Sequence, residues 1–175
     1  SKLFFEWCEE HSVELDDQNF TAEYQINIPR LVGLSGSSAI CSAMLKALME
    51  FYNVEIPLED QPTITMNAER EELGIACGLQ DRVAQIYNGV TFMDFERSLV
   101  ESTGHGKYER LDIAAMPNVY IAYDPNRAEE SGKAHKKVKK LFQQQNHDVV
   151  AAMKEFADIA QKGRDAIVAG KLDLI

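Results

Sequence analysis

One stretch, IPRLVGLSGSSAICSAM over residues 28–44, limits what this chain can become, because a strand-like run meets a Gly/Ser loop and then a helix. Upstream, Phe20, Ala22, Tyr24, Ile26 and Ile28 alternate with Thr21, Glu23, Gln25 and Asn27, the period of a strand with one buried face. Pro29 closes that run. Downstream, Ala39, Ile40, Ala43, Met44, Ala47, Leu48 and Phe51 recur at helical spacing and predict a buried helix from near Ser37 to around Tyr52. Between the two, nothing bulky follows Leu34. Gly33 and Gly36 allow a tight turn, and Ser35, Ser37 and Ser38 offer hydroxyls to cap the helix. The unpaired amides and the positive helix end favour an anion by ~1–2 kcal/mol. Such a loop is either a phosphate cradle or an ordinary capped turn. No Lys follows Gly36 as GxxxxGK[ST] requires, and no GxGxxG occurs, which disfavours the two commonest nucleotide loops.

A second paired feature lies downstream. Ile64, Ala68, Glu69, Glu72 and Leu73 predict a helix over 63–73 ended by Gly74. Val83, Ile86 and Tyr87 predict another over 79–88, stopped by Gly89 in a left-handed conformation. The GIACG segment between them folds one helix back on the other, so that Glu69 and Asp81 can face one site. Taken alone, Asp81 reads as an acid complementing the dipole of its own helix.

These residues resemble a known family. Pro29, then Gly33-Leu34, then Ser37-Ser38-Ala39 is similar to the second signature of the GHMP small-molecule kinases, PxxxGLGSSA, with one extra residue between Leu34 and the serine pair. The variant IPRLVGLSGSSAI followed by GLQDRVAQ resembles the glucuronokinase branch, sugar kinases that phosphorylate the anomeric hydroxyl of glucuronic acid. AEREELGIACGLQD is similar to the galactokinase-type segment carrying A-E, then Gly, then C-G-x-x-D. The resemblance implies ATP at Gly33, Leu34, Ser35, Gly36, Ser37, Ser38 and Ala39. It implies Mg²⁺ on Glu69 and a serine of the loop, Ser38 or its neighbour Ser37. Asp81 is then the group that takes the sugar hydroxyl proton, or that orients the hydroxyl. The family's cationic partner for the phosphate belongs to a first signature that is not seen here.

Length and charge set the outer limits. The chain has 175 residues, and 45% hydrophobic content suffices for one sizeable core. A net charge of −10 argues against nucleic acid as a partner and leaves any anionic ligand dependent on local amides, a metal ion or a confined basic patch. Cys8, Cys41 and Cys77 have neither disulfide-framework nor zinc-ligand spacing, which fits a reducing cytoplasm. No apolar run has the length of a signal peptide or a membrane span. The opening SKLFFEWCEE reads as the middle or end of an amphipathic helix without a start methionine, so the chain is expected to be a piece of a longer protein and inactive alone.

The remainder predicts a strand over 89–95, an exposed loop over 96–110 centred on Gly104-His105-Gly106, and strands over 108–113 and 119–123 with a turn at Asp124-Pro125-Asn126. His105 is either a substrate contact or a solvated turn residue. A helix over 131–144 lines up Lys133, Lys136, Lys137 and Lys140 on one face, which is either a solvated stripe or a basic patch. Glucuronokinases carry a similar Ser-Gly-Lys-x-His, so the resemblance puts Ser131, Lys133 and His135 near the acidic sugar. A last helix over 148–170 carries no chemistry.

The order of elements predicts an α+β fold with helices on one side of a mixed sheet. The resemblance implies a two-layer, ribosomal-protein-like ATP-binding domain over residues 1–125 and the start of a ferredoxin-like domain over 126–175. The implied activity is transfer of the γ-phosphate of ATP to glucuronic acid, giving glucuronate 1-phosphate for UDP-glucuronate supply. The alternatives are kinases of galacturonic acid, galactose or a similar small alcohol, and a ligand-binding relative without turnover. Retention of Glu69, Asp81 and both serines speaks against the last.

Overall fold

The computed structural model describes residues 1–112, 118–124 and 132–171. Helix α1 (Lys2–Glu10) is amphipathic and turns Phe4 and Cys8 inward. They meet Leu45 and Leu48 of α2 (Gly36–Phe51) and Val54 and Ile56 of the segment that follows it. Tyr52 stacks on Phe4 with ring centroids 5.9 Å apart. Asn53 stops α2 at φ 51°, where Asn is tolerated, and the next amide, Val54 N–H, bonds back to the Met49 carbonyl at 2.8 Å.

Pro62 opens α3 (Gln61–Asn67), suiting its missing amide to a helix start. The helix begins two residues before the expected point, and its continuation, Ala68–Glu72, is wound as a π-helical turn. Gly74 at φ +65° ends the segment as expected, and Ile75 N–H bonds the Glu69 carbonyl at 2.9 Å. Helix α4 (Gln80–Tyr87) contributes Val83, Ile86 and Tyr87 to a second apolar cluster with Leu79, Met93 and Tyr108. Gly89, at φ +67°, follows its end.

The described sheet has two antiparallel strands, β1 (Val90–Asp94) and β2 (Lys107–Leu111), in the register Val90 to Leu111 through Asp94 to Lys107. This corrects the expected mixed sheet. The α+β class stands, with α4 packed against the first strand of a small hairpin. Between the strands, where an exposed loop was expected, Arg97–Thr103 forms a short helix, α5, closed by Gly104 at φ 80°. Its seven residues begin after Glu96 and carry no Gly or Pro, so the polar composition that read as loop is a solvated helix. A Cβ on buried Gly106 would lie 2.5 Å from the Asp94 carbonyl oxygen, which makes glycine a requirement of this hairpin.

Two expected strands are absent among the described residues. Residues 20–28 are irregular, with Tyr24 66% exposed, and residues 118–124 leave Val119, Tyr120 and Ile121 at least 75% exposed. Alternation records a side-chain period, but a strand also needs a neighbour for its backbone groups, and no described strand lies beside either segment. The expected end of β2 beyond 112 and most of the Asp124-Pro125-Asn126 turn lie outside the described residues.

Two helices follow, α6 (Gly132–Gln143) and α7 (His147–Val168). The Asn146 side chain caps α7 by accepting from Val149 N–H at 3.2 Å. Arg164 of α7 donates to both carboxylate oxygens of Glu109, from Nη2 at 3.0 and 2.9 Å, tying the last helix to β2. No helix among the described residues is long and apolar enough to cross a membrane.

Candidate active site

The loop ahead of α2 turns on three residues of positive φ, Leu31 at 59°, Gly33 at +79° and Ser35 at φ 55° and ψ 33°. Gly36 is not in that region, and a Cβ there would touch Ile28 and Ile26 at ordinary distances of 3.5 and 3.7 Å. The turn therefore needs glycine at 33 and tolerates a side chain at 36. The helix starts at Gly36, one residue earlier than its apolar spacing indicates.

The serines do not cap it. Ser35 makes no side-chain cap bond, and the first amide to find an intrahelical carbonyl is Ala39 N–H, on Ser35 O at 3.1 Å. The amides of Gly36, Ser37 and Ser38 come before that bond, so they are the helix-end donors that an anion can take up. Ser38 is buried, and its hydroxyl donates to the Ser35 carbonyl at 2.9 Å.

Helix α4 is bolted to this loop through Gln85. Its amide nitrogen lies 3.0 Å from Ser35 O and 3.1 Å from Ser38 Oγ, and its Oε1 accepts from Ser42 Oγ at 3.2 Å. Asp81 precedes Gln85 by four residues and so sits one turn nearer the helix start on the same face. Its side chain is half exposed, at 48%, and lies 3.5 Å from Arg82 Nη1.

Glu69 is fully buried, at 0% exposure, and Arg82 holds it. Arg82 Nε donates to Glu69 Oε2 at 2.6 Å, Nη2 pairs with the same oxygen, and Nη1 donates to the Gly78 carbonyl at 3.1 Å. The other oxygen, Glu69 Oε1, is buried with no hydrogen-bond partner. Burial, followed by the Glu69 carboxylate, pushes the Cys41 thiol of α2 above its ordinary range, and burial does the same to Cys77.

The expected residues thus join into one network. Ser38 connects through Gln85 to α4, α4 presents Asp81 outward, and Arg82 of the same helix reaches back to Glu69. For a hard cation, Glu69 Oε1 has unspent lone pairs and Ser38 Oγ keeps one, which fits an ion that takes few protein oxygens and completes its shell with phosphate and water. Among the described residues no group of three His, Cys, Asp or Glu could hold a metal unaided.

Other expectations concern other parts of the chain. Ser131 lies outside the described residues. Lys133 and His135 belong to α6, which packs against α7. His105 Nδ1 donates to the Gly106 carbonyl at 2.8 Å, the bond of a turn residue. The open hollow of about 630 Å³ along Ala22, Glu23, Tyr24 and Gln25 includes none of the site residues. Arg82 and Gln85 were not singled out in the sequence. Their signal was present, since a cation and an amide three apart flank Val83 and Ile86 of the buried face.

Comparison with known proteins gives the family. Residues 3–89 match the model of the GHMP kinases N terminal domain. Glucuronokinase 1 of Arabidopsis thaliana is 42% identical over 169 residues, 95% of this chain and 46% of that protein. The chain belongs to the GHMP kinase superfamily. Other members agree. Probable glucuronokinase 2 of the same plant is 43% identical over 170 residues, again 95% of this chain and 46% of its own length. The D-glycero-alpha-D-manno-heptose 7-phosphate kinase of Campylobacter jejuni is 27% identical over 142 residues, 79% of this chain and 41% of the relative. The chain spans about half the length of the curated relatives it matches. No solved structure gives a significant match. In this GHMP kinase chain, the loop, Glu69 and Asp81 all fall within the matched residues.

Proposed function

We propose that the full protein is an ATP-dependent sugar kinase whose acceptor is the anomeric hydroxyl of glucuronic acid. The observation that carries the substrate is the 42–43% identity with glucuronokinases across 95% of the chain. The network described above supports the reaction class, because it joins an amide-lined helix start to an outward-facing carboxylate.

The roles follow from position. The amides of Gly36, Ser37 and Ser38 hold phosphate oxygens of ATP, with Gly33, Leu34, Ser35 and Ala39 shaping the turn. Asp81 accepts the proton of the sugar hydroxyl. The freed oxygen bonds to the γ-phosphorus, the bond to the β–γ bridging oxygen breaks, and ADP leaves. Glu69 and Ser38 are the residues that would hold Mg²⁺, and Arg82 neutralises Glu69 and fixes its orientation. When bound, Mg²⁺ supplies charge neutralisation for the transferring phosphate. We assign residues 1–125 to the ATP-binding domain and 126–175 to the start of a second one, with Ser131, Lys133 and His135 toward the acidic sugar. Three free thiols fit a cytoplasmic enzyme. The direct experiment offers the full protein ATP, Mg²⁺ and a panel of sugars, and reads which one is consumed.

A further inference from the structure

Resting on that reading, we infer that Gln85 is a positioning residue that fixes the polarity of the Ser38 hydroxyl and locks the left-handed turn at Ser35. The orientation of the amide follows from chemistry. The Ser35 carbonyl can only accept, so the Gln85 atom 3.0 Å from it is the NH₂ group, and the Ser42 hydroxyl then donates to Oε1. Both amide protons are used, one on Ser35 O and one on Ser38 Oγ. Ser38 has a single proton, and it goes to Ser35 O at 2.9 Å.

The Ser38 oxygen has therefore given its hydrogen and accepted one, which leaves a single lone pair. It faces a ligand as an acceptor. An oxygen in that state suits a cation and repels a phosphate oxygen, and Gln85 supports the state by donating into Oγ while the Ser38 proton is turned toward the Ser35 carbonyl, which also accepts from Ala39 N–H. The same amide braces Ser35, a non-glycine residue held at φ 55°. Lys46 Nζ donates to the Gln85 carbonyl at 3.3 Å, anchoring the residue from α2 as well. Asp81 lies four residues earlier on the same helix that Gln85 ties to the loop.

The test uses the full protein with Gln85→Met, which has similar length and no strong hydrogen-bonding group, and Gln85→Glu, which keeps the acceptor toward Ser42 but cannot donate to Ser35. ATP binding is measured with a fluorescent ATP analogue, with and without Mg²⁺, below the melting onset of each variant. Wild-type protein gains affinity with Mg²⁺. In both variants that gain disappears and kcat falls on the order of 100-fold, the scale of a small misplacement of reacting groups, while KM for the sugar changes little. If the Met variant fails to fold, the near-isosteric Glu variant decides. A folded variant that keeps the Mg²⁺-dependent gain overturns the role of Gln85 and leaves the kinase reading standing. Wild-type protein whose ATP affinity ignores Mg²⁺ overturns both.

Discussion

Replacing Arg82 by Met tests whether the buried Glu69 charge is held as the structure indicates. Arg82 is 5% exposed and Glu69 0%, and one Glu69 oxygen already lacks a partner. Removing the guanidinium takes away every hydrogen bond and the counter-charge on the other oxygen, and frees the Gly78 carbonyl. Breaking one side of a buried ion pair costs about 3–5 kcal/mol, because the remaining charge stays desolvated. Chemical denaturation of the full protein should show a loss of that size. The paired change Arg82→Met with Glu69→Gln removes the charge as well, and leaves only the cost of an unsatisfied buried amide, about 1–3 kcal/mol. It should therefore be more stable than Arg82→Met alone. Arg82→Lys should fall between, since an ammonium cannot span Glu69 and Gly78 as a planar fork does. An Arg82→Met protein within about 1 kcal/mol of wild type, or a double variant less stable than the single one, would refute the reasoning, since exposed pairs have only that small a worth.

Three further outcomes follow from the site. Asp81→Asn keeps the shape of the carboxylate without its charge, so kcat should fall by roughly 10²–10⁴ with a much smaller change in KM, and near-normal kcat would leave Asp81 as a helix-start residue. Ser38→Ala removes one oxygen and should weaken Mg²⁺-dependent ATP binding more than metal-free binding, as titration with and without the ion would show. The raised Cys41 and Cys77 thiols stay protonated in the folded chain above the pH at which they ionise when unfolded. Their contribution to stability is complete below about pH 8.5, the ordinary thiol pKa, and declines as pH rises through the folded values; alkylation at neutral pH should be slow until the protein unfolds.

The parts of the fold that depend on local chemistry could be read from the sequence. Helical spacing located α2, α4 and α7, and Gly74 and Gly104 mark chain reversals because their φ angles are positive. Strands were harder, since residues 20–28 and 119–123 have no described strand beside them, and Phe20 rests instead on Phe51 of α2. The α5 helix was hidden because its only apolar residues, Leu99 and Val100, are adjacent and half-buried, which leaves no apolar period to detect. At the site, motif resemblance located the loop, Glu69 and Asp81. The residues that connect them, Arg82 and Gln85, could be noticed beside the buried face of α4, but their partners lie 13 and 47 to 50 positions away, and no spacing rule names those partners.

The central claim is most directly tested by the product. Full protein incubated with ATP, Mg²⁺ and glucuronic acid should yield ADP and a sugar phosphate whose phosphorus NMR signal couples to the anomeric proton, with the acidic sugar consumed faster than galactose or galacturonic acid. ATP consumed with galactose while glucuronic acid is left untouched would contradict the account, as would a phosphate carried on any other hydroxyl.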